Sequence, residues 1–305
     1  MTLNWLDGKI DPFIRPGAVE LQSSLHSQLI KNFANEDAAA RFLSSDRVHW
    51  RRQAVLRSQH IMGKPISGTV LEIGAGSGWC SSLLSLMPNV NKIYCMDYDP
   101  VSVNTLIPQV QTVLSADASK IEKVYGTFND IKLINELDFI VSIGALHHSE
   151  NLFVTLSECF KALKPGGWLF ATEPAYYDSE NNRAILNRYK KEDLNSIAKY
   201  GRRAKHEENS DHYYRLCEYT AASYSSKFDT FPFVFDMDGN RNADDRALSE
   251  RKVGQGFHKN VFFPYFAKDV GNPVFDSLLL MLQKPEDGGC ETGHVLSCQG
   301  SKSQF

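Results

Sequence analysis

Hydrophobic positions divide the chain into a helical start and a middle section of short apolar runs. Apolar residues recur near helical spacing through residues 1–63, which predicts a mostly helical N-terminal segment. From residue 70 onward, short apolar runs alternate with amphipathic segments, as at residues 139–143 and 168–172. This alternation is typical of an open α/β sheet whose parallel strands are buried on both faces.

The stretch VLEIGAGSG, residues 70–78, joins the first apolar run to a helix-like segment. Glycine tolerates positive φ and lets a ligand approach the backbone closely. Strand, glycine turn and helix together predict a nucleotide-binding crevice. The dinucleotide fingerprint G-x-G-x-x-G is not met, because Trp79 stands where the third glycine would follow Gly74 and Gly76.

Acidic residues follow the next apolar runs. The stretch NKIYCMDYDP predicts a second strand that ends at Asp97, about 20 residues past the turn, where an acid can accept both ribose hydroxyls. Asp99, just before Pro100, is interpreted as a helix cap or Asx turn. The stretch VQTVLSADASK predicts a third strand that ends at Asp117.

The pattern E-x-G-x-G-x-G, which begins at Glu72, resembles motif I of the class I S-adenosylmethionine-dependent methyltransferases. The stretch ELDFIVSIGALHHSEN resembles the motif IV region of the family's small-molecule branch, which is related to quinone-biosynthesis methyltransferases. The turn KPGG is a further marker of the family. The resemblance spans residues 69–174, with support from a closing strand at residues 277–285.

The resemblance implies contacts to S-adenosylmethionine. Glu72 would lie near the ammonium group of its methionine end, and the helix N-terminus after the turn near its carboxylate. Asp97 would bind the ribose, and Asp117 with Ala118 the adenine amino group, unless Asp117 only caps its own turn. The expected cofactor-binding residues are Glu72, Gly74, Ala75, Gly76, Gly78, Asp97, Tyr98, Asp117, Ala118 and Gly144.

Methyl transfer from a sulfonium requires orientation of the reactants and no metal. A hydroxyl acceptor would also need a general base, and histidine titrates near neutral pH. The expected catalytic residues are His147, His148 and Glu173, although the histidines alternatively shape the pocket. Aromatic residues after the fifth core strand either line a substrate pocket or pack between segments, namely Tyr176, Tyr177, His212, Tyr213 and Tyr214.

The expected fold class is α/β, with a doubly wound, mostly parallel sheet of seven strands whose last strand is antiparallel. Pro232 places the strand at residues 228–236 near an edge of the sheet. The expected segments are a helical lid (1–63), a cofactor-binding core (64–174), a helical cap insertion (175–227), the last two core strands (228–285) and a flexible tail (286–305).

Composition and charge exclude several functional classes. A net charge of −3 gives no electrostatic case for nucleic acid or an anionic membrane. The four arginines of residues 47–57 are therefore interpreted as a solvated helix face. The start of the chain has no signal-peptide pattern, and no apolar run is long enough to span a membrane. Without C-x-x-C or a fitting histidine set, we expect a reduced cytoplasmic protein with no metal site.

The sequence therefore predicts S-adenosylmethionine-dependent methyl transfer to a small molecule, at an oxygen, nitrogen or carbon that the sequence leaves open. Two alternatives remain at this point. One is a nicotinamide-dependent oxidoreductase on a related fold, against which Trp79 argues. The other is a protein that binds S-adenosylmethionine without catalysis. The oligomeric state is left open by the sequence.

Overall fold

The computed structural model describes residues 2–8, 11, 18–176, 212, 214–234 and 274–286. The strands in these residues are β1 (Thr2–Asn4), β2 (Gly68–Ile73), β3 (Val90–Asp97), β4 (Ile121–Tyr125), β5 (Leu137–Ile143), β6 (Leu163–Tyr176), β7 (Asp229–Val234) and β8 (Val274–Gln283). The helices are α1 (Ala18–Leu29), α2 (Glu36–Ser44), α3 (Asp46–Met62), α4 (Trp79–Ser85), α5 (Ile107–Val113), α6 (Leu152–Ala162) and α7 (Leu216–Ser225).

The described strands form one sheet in the order β1-β4-β3-β2-β5-β6-β8-β7. Strands β1 to β6 are parallel to one another, whereas β8 runs antiparallel between β6 and β7. This confirms the doubly wound α/β fold, the antiparallel last strand and the edge position of the strand that contains Pro232. The short strand β1 is an eighth strand that the sequence pattern did not predict.

The third core strand lies further along the chain than predicted. Strand β4 starts at Ile121, whereas the stretch before Asp117 forms helix α5. Val110 is fully buried in that helix, and Pro108 fits its first turn because the proline lacks only an N–H that would have no partner there. The prediction was wrong because β-branched residues pack under the sheet from a helix as well as from a strand.

The sheet is buried on both faces. One face packs on α6 and α7, with Leu71 and Ile140 of the sheet in the same cluster as Tyr219 of α7. The other face packs on α3 and α4, with Val70 and Phe139 in the same cluster as residues of those helices. Successive residues of β2 thus meet different helix layers, which explains its nearly continuous apolar sequence.

Helical structure dominates the described part of residues 1–63, as predicted. Helix α2 begins after Asn35, whose side chain accepts from Ala38 N at 2.9 Å. Helix α3 ends at Gly63, which adopts φ +65° as a helix-terminating glycine. In the described part of the chain, each helix is too short or too polar to cross a membrane.

The predicted cap insertion is described only at its ends. Strand β6 continues through Tyr176, and helix α7 buries Leu216, Tyr219 and Ala222 in the core. Residues 177–211 and the predicted tail from residue 287 lie outside the described residues, as does residue 213. Helix α7 is therefore part of the layer that covers the sheet.

Candidate functional site

The glycine turn follows β2 at the carboxyl edge of the sheet, where ligands bind in open α/β folds. Gly74, Gly76 and Gly78 have φ values of +59°, +55° and +70°. A Cβ on Gly74 would lie 2.5 Å from Ala145 Cβ, and one on Gly78 would lie 2.9 Å from Ile107 Cγ1. The turn therefore requires glycine at Gly74 and Gly78 for both conformation and space, and at Gly76 for conformation.

Asp97, at the end of β3, fixes the turn. Its Oδ2 accepts from Gly76 N at 2.7 Å, and its Oδ1 accepts from Asp99 N at 2.9 Å. Ala75 N donates to Met96 O at 2.9 Å, so the turn is also held by the strand backbone. Burial raises the pKa of Asp97, although His26 and the two N–H donors oppose this. The predicted ribose ligand thus lies directly beside the glycine turn.

Glu72 is buried beneath the turn. Its Oε2 accepts from Ser81 N at 2.8 Å and from Ser81 Oγ at 2.5 Å, so the carboxyl group caps the start of α4. Burial raises the pKa of Glu72 to about 7, against the two bonds from Ser81. The N–H of Ser81, in the first turn of α4, is therefore used by the protein's own acid.

Asp99 has a larger role than the predicted helix cap. It accepts from Val101 N at 3.2 Å and Ser102 N at 3.1 Å, which is the predicted cap. It also accepts from Ser23 Oγ, and its Oδ2 lies 2.5 Å from His26 Nδ1. Burial alone would raise the pKa of Asp99. The hydrogen bonds from His26 and Ser23 outweigh burial, so the pKa of Asp99 is lowered. No local sequence signal links Asp99 to α1.

Glu173 organises the loop that follows β5. Its carboxylate is fully buried and accepts from Ser142 Oγ (3.0 Å), Ala145 N (3.1 Å), Leu146 N (2.9 Å), His147 N (3.3 Å) and His147 Nδ1 (2.8 Å). Burial raises the pKa of Glu173, but His147 and the backbone donors outweigh it, so the pKa is lowered. The structure therefore brings Glu173 and His147 together as one unit.

The histidine pair lies on this loop, with ring centroids 4.1 Å apart. His147 is buried, and His148 is partly exposed. His212 N donates to His147 O at 2.8 Å, and Tyr214 Oη donates to Ser149 O at 2.5 Å. The described end of the predicted cap therefore contacts the loop that carries both histidines. Tyr177 and Tyr213 lie outside the described residues, and only the backbone of Tyr176 is described.

Asp117 and Ala118 are not brought to this edge. Asp117 precedes β4, so it lies at the amino edge, where its N–H donates to Ser85 Oγ at 2.9 Å. Its carboxylate accepts from Ser119 Oγ at 2.5 Å, which lowers its pKa. The alternative interpretation of Asp117, as the cap of its own turn, fits this geometry.

The loop after β4 takes the place expected for Asp117. Phe128 is buried, and its Cε1 lies 3.9 Å from a Cβ built on Gly74. Thr127 donates to Asp11 Oδ2 at 2.5 Å. The sequence signal for this loop was the alternating stretch IEKVY followed by Gly126, which the earlier assignment of the strand concealed.

Gly144, which follows β5, has φ +64° and lies under Arg51 of α3. A Cβ on Gly144 would lie 2.5 Å from Arg51 Nη2. The prediction of a solvated arginine face is therefore wrong for Arg51, although Arg52 is exposed. The side chains of Arg47 and Arg57 lie outside the described residues. Tyr98, next to Asp97, is half-buried.

These residues fit S-adenosylmethionine. The carboxyl ends of parallel β2, β3, β4 and β5 converge on one edge, with a glycine turn, buried carboxylates and two basic side chains, His26 and Arg51. Gly76 leaves room for a ligand, because a Cβ there would have His26 Nε2 as its closest neighbour, at 3.6 Å. Within the described ranges, three metal-ligating side chains nowhere come together in a metal-binding group.

The comparisons with known proteins identify the family and the fold of this chain. A family model described as a methyltransferase domain matches residues 47–218, more than half of the chain. A search of curated proteins gives no match.

Two solved structures share the fold. Geranyl diphosphate C-methyltransferase from Streptomyces coelicolor A3(2), in complex with S-adenosyl-L-homocysteine, is 12% identical, with a TM-score of 0.51 over 77% of this chain and 76% of that chain. Phosphoethanolamine N-methyltransferase 2 from Haemonchus contortus, in complex with S-adenosyl-L-methionine, is 13% identical, with a TM-score of 0.50 over 77% of this chain and 52% of that chain.

The family match includes the glycine turn, Asp97 and the loop that carries His147. At these identities the two structures establish the fold, and the family match establishes the class. The motif resemblance is thereby confirmed, and the oxidoreductase alternative is not supported. The chain belongs to the class I S-adenosylmethionine-dependent methyltransferases.

Proposed function

We propose that this chain methylates a small-molecule acceptor at the carboxyl edge of its sheet, with His147 as the general base. When bound, S-adenosylmethionine supplies an activated methyl group. The observation that carries the proposal is the pairing of His147 Nδ1 with fully buried Glu173, at 2.8 Å, on a loop that adjoins the glycine turn. Ala145, on the same loop, lies against Gly74 of the turn.

The cofactor residues have distinct proposed roles. Gly76 lets the ligand approach the turn, Asp97 accepts from hydroxyl groups of the ribose, and Glu72 balances a nearby cationic group. Phe128 and Thr127 replace Asp117 and Ala118 beside the adenine, because their loop lies at the correct edge. Ala75, Gly78 and Gly144 shape the cradle, and Tyr98 adjoins its ribose end.

Glu173 is proposed as a positioning residue. It holds one imidazole nitrogen of His147, so the acceptor's proton would leave to the other nitrogen, Nε2. An ionised Glu173, favoured by its lowered pKa, stabilises the imidazolium that results. His148 is more exposed and is proposed to line the acceptor pocket.

A small-molecule acceptor is supported by three observations. The sequence around His147 resembles the family's small-molecule branch. The two structures that share the fold are, by their names, enzymes that methylate geranyl diphosphate at carbon and phosphoethanolamine at nitrogen. The net charge of −3 offers no general attraction to nucleic acid. The acceptor atom stays open, because those two enzymes differ in it.

A cytoplasmic location remains a proposal. Cys80, Cys95 and Cys159 are buried thiols outside any disulfide. Burial raises the pKa of each, which keeps them protonated and unreactive. Buried free thiols support a reducing compartment.

The proposal is tested with S-adenosylmethionine carrying a radiolabelled methyl group and a small-molecule extract depleted of macromolecules. We expect labelled product with the wild type and about 10²–10⁴-fold slower labelling with His147→Ala, the range that a general base contributes. His148→Ala is the matched control, and we expect a smaller loss. The macromolecular fraction of the same extract is assayed in parallel. Label transfer only to that fraction, or equal rates for His147→Ala and the wild type, would contradict the proposal.

A further inference from the structure

His26 of α1 lies over the glycine turn, although 50 residues separate it from Gly76 along the chain. At Gly74 and Gly78, the space that a Cβ would need is filled by Ala145 and Ile107, at 2.5 Å and 2.9 Å. At Gly76 the closest atom is His26 Nε2, at 3.6 Å, an ordinary contact distance. A ligand that uses the open face of Gly76 therefore meets this ring nitrogen.

Asp99 fixes the orientation of the His26 ring. Its Nδ1 lies 2.5 Å from Asp99 Oδ2, and Asp99 is itself fully buried. Asp99 is held in turn by Ser23 Oγ and by the N–H groups of Val101 and Ser102. Because Nδ1 is engaged with Asp99, the atom presented to the turn is Nε2.

The charges around His26 favour its protonated form. Burial lowers the pKa of His26, but the hydrogen bond to Asp99 and the charge of Asp97 outweigh this and raise it. The titratable groups that face the ring are Asp99, which follows β3, and Asp97, at the end of β3. A protonated imidazole donates from both nitrogens. Among the described residues, none accepts a hydrogen bond from His26 Nε2. An oxygen atom of a ligand could therefore accept from it.

We propose that His26 is a cofactor-binding residue that donates from Nε2 to an oxygen of S-adenosylmethionine. Two kinds of oxygen meet this description, the carboxylate of the methionine end and the ribose hydroxyls. The inference rests on the proposed function, since it assigns a ligand contact within the same site. It also gives α1 a chemical role, because the N-terminal segment then supplies part of the cofactor site.

The test is calorimetric titration with S-adenosylhomocysteine, which reads binding and not turnover. We expect His26→Ala to weaken binding about tenfold or more, the value of a charged hydrogen bond. Ser23→Ala removes another contact between α1 and Asp99 and leaves His26 in place, so we expect less than about threefold loss. Gln28→Ala, exposed on the same helix, is the second control.

The pH dependence separates a ligand contact from mere packing of α1. The ionisation of Glu72 makes affinity rise with pH, whereas the deprotonation of His26 makes it fall, so the His26 step is read as the ratio of wild-type to variant affinity. That ratio should fall as pH rises through the raised pKa of His26. His26→Asn places an amide N–H near the position of Nδ1, toward Asp99, but does not titrate, so its affinity should lack this step. If His26→Ala melts at a lower temperature than the wild type, this second variant replaces it in the binding comparison.

5′-Methylthioadenosine, which keeps the ribose and lacks the carboxylate, identifies the oxygen. A loss confined to S-adenosylhomocysteine indicates the carboxylate, and an equal loss for both ligands indicates the ribose. If both His26 variants bind S-adenosylhomocysteine as tightly as the wild type, or more tightly, the inference is wrong while the function stands. If the wild type itself gives no heat, the cofactor assignment fails, and this inference with it.

Discussion

Glu72 shows how one residue links folding and ligand binding. It is buried against Ser81, and burial raises its pKa to about 7. Near neutral pH it is therefore only partly ionised, although a cationic ammonium group would be bound best by the carboxylate. Because its pKa is raised, protonated Glu72 stabilises the folded state at pH values below the ordinary carboxyl pKa. This stability is lost as the pH rises toward 7.

We therefore expect cofactor binding to release protons from Glu72. At about pH 7, a nearby ammonium group should drive ionisation of the protonated half, which amounts to about half a proton per site. Titration of S-adenosylhomocysteine in buffers with different ionisation enthalpies measures this number. Glu72→Gln should release about half a proton less than the wild type, and the partly exposed Glu122→Gln is the control. Equal proton release in the wild type and Glu72→Gln would refute a contact between Glu72 and the ammonium group.

At the scale of elements, strand β6 fixes the loop that follows β5. Glu173 provides the connection, since its buried carboxylate accepts from Ser142, Ala145, Leu146 and His147. The loop then supports the segment around His212 and Tyr214 through the carbonyls of His147 and Ser149. A change at Glu173 should therefore disturb the loop as a unit and His147 with it.

Glu173→Gln is expected to destabilise the protein by about 2–4 kcal/mol, because an amide leaves several buried donors without an acceptor. Urea denaturation measures the free energy of unfolding. The control is Glu122→Gln, which breaks a partly exposed ion pair with Lys92 and should cost less than about 1 kcal/mol. Because the pKa of Glu173 is lowered, its ionised form stabilises the fold at pH values above the ordinary carboxyl pKa, and this stability is lost on acidification. Glu173→Gln should therefore make the free energy of unfolding less dependent on pH in the acid range. Similar decreases in the free energy of unfolding for the two variants would show that Glu173 does not hold the loop after β5 in place.

At the scale of the molecule, local chemistry was predictable and contacts between distant segments were not. The glycine turn and Asp97 follow from short patterns, because strand, turn and following acid are fixed by local geometry. The prediction for Asp117 was wrong for two reasons. Asp117 is flanked by small residues, as in a cofactor-binding loop, and the β-branched residues of α5 are typical of a strand. The contacts of His26 with Asp99 and of Arg51 with Gly144 depend on how the N-terminal helices pack, which no local pattern encodes.

The most direct test of the whole molecule is a pair of calorimetric titrations of the wild type, one with S-adenosylhomocysteine and one with NADH. The glycine turn, Asp97 and the family match predict saturable heat with S-adenosylhomocysteine and none with NADH. Gly74→Ala, which forces a Cβ to within 2.5 Å of Ala145, should abolish that heat or prevent folding. Saturable heat with NADH alone would contradict the assignment of this site to S-adenosylmethionine.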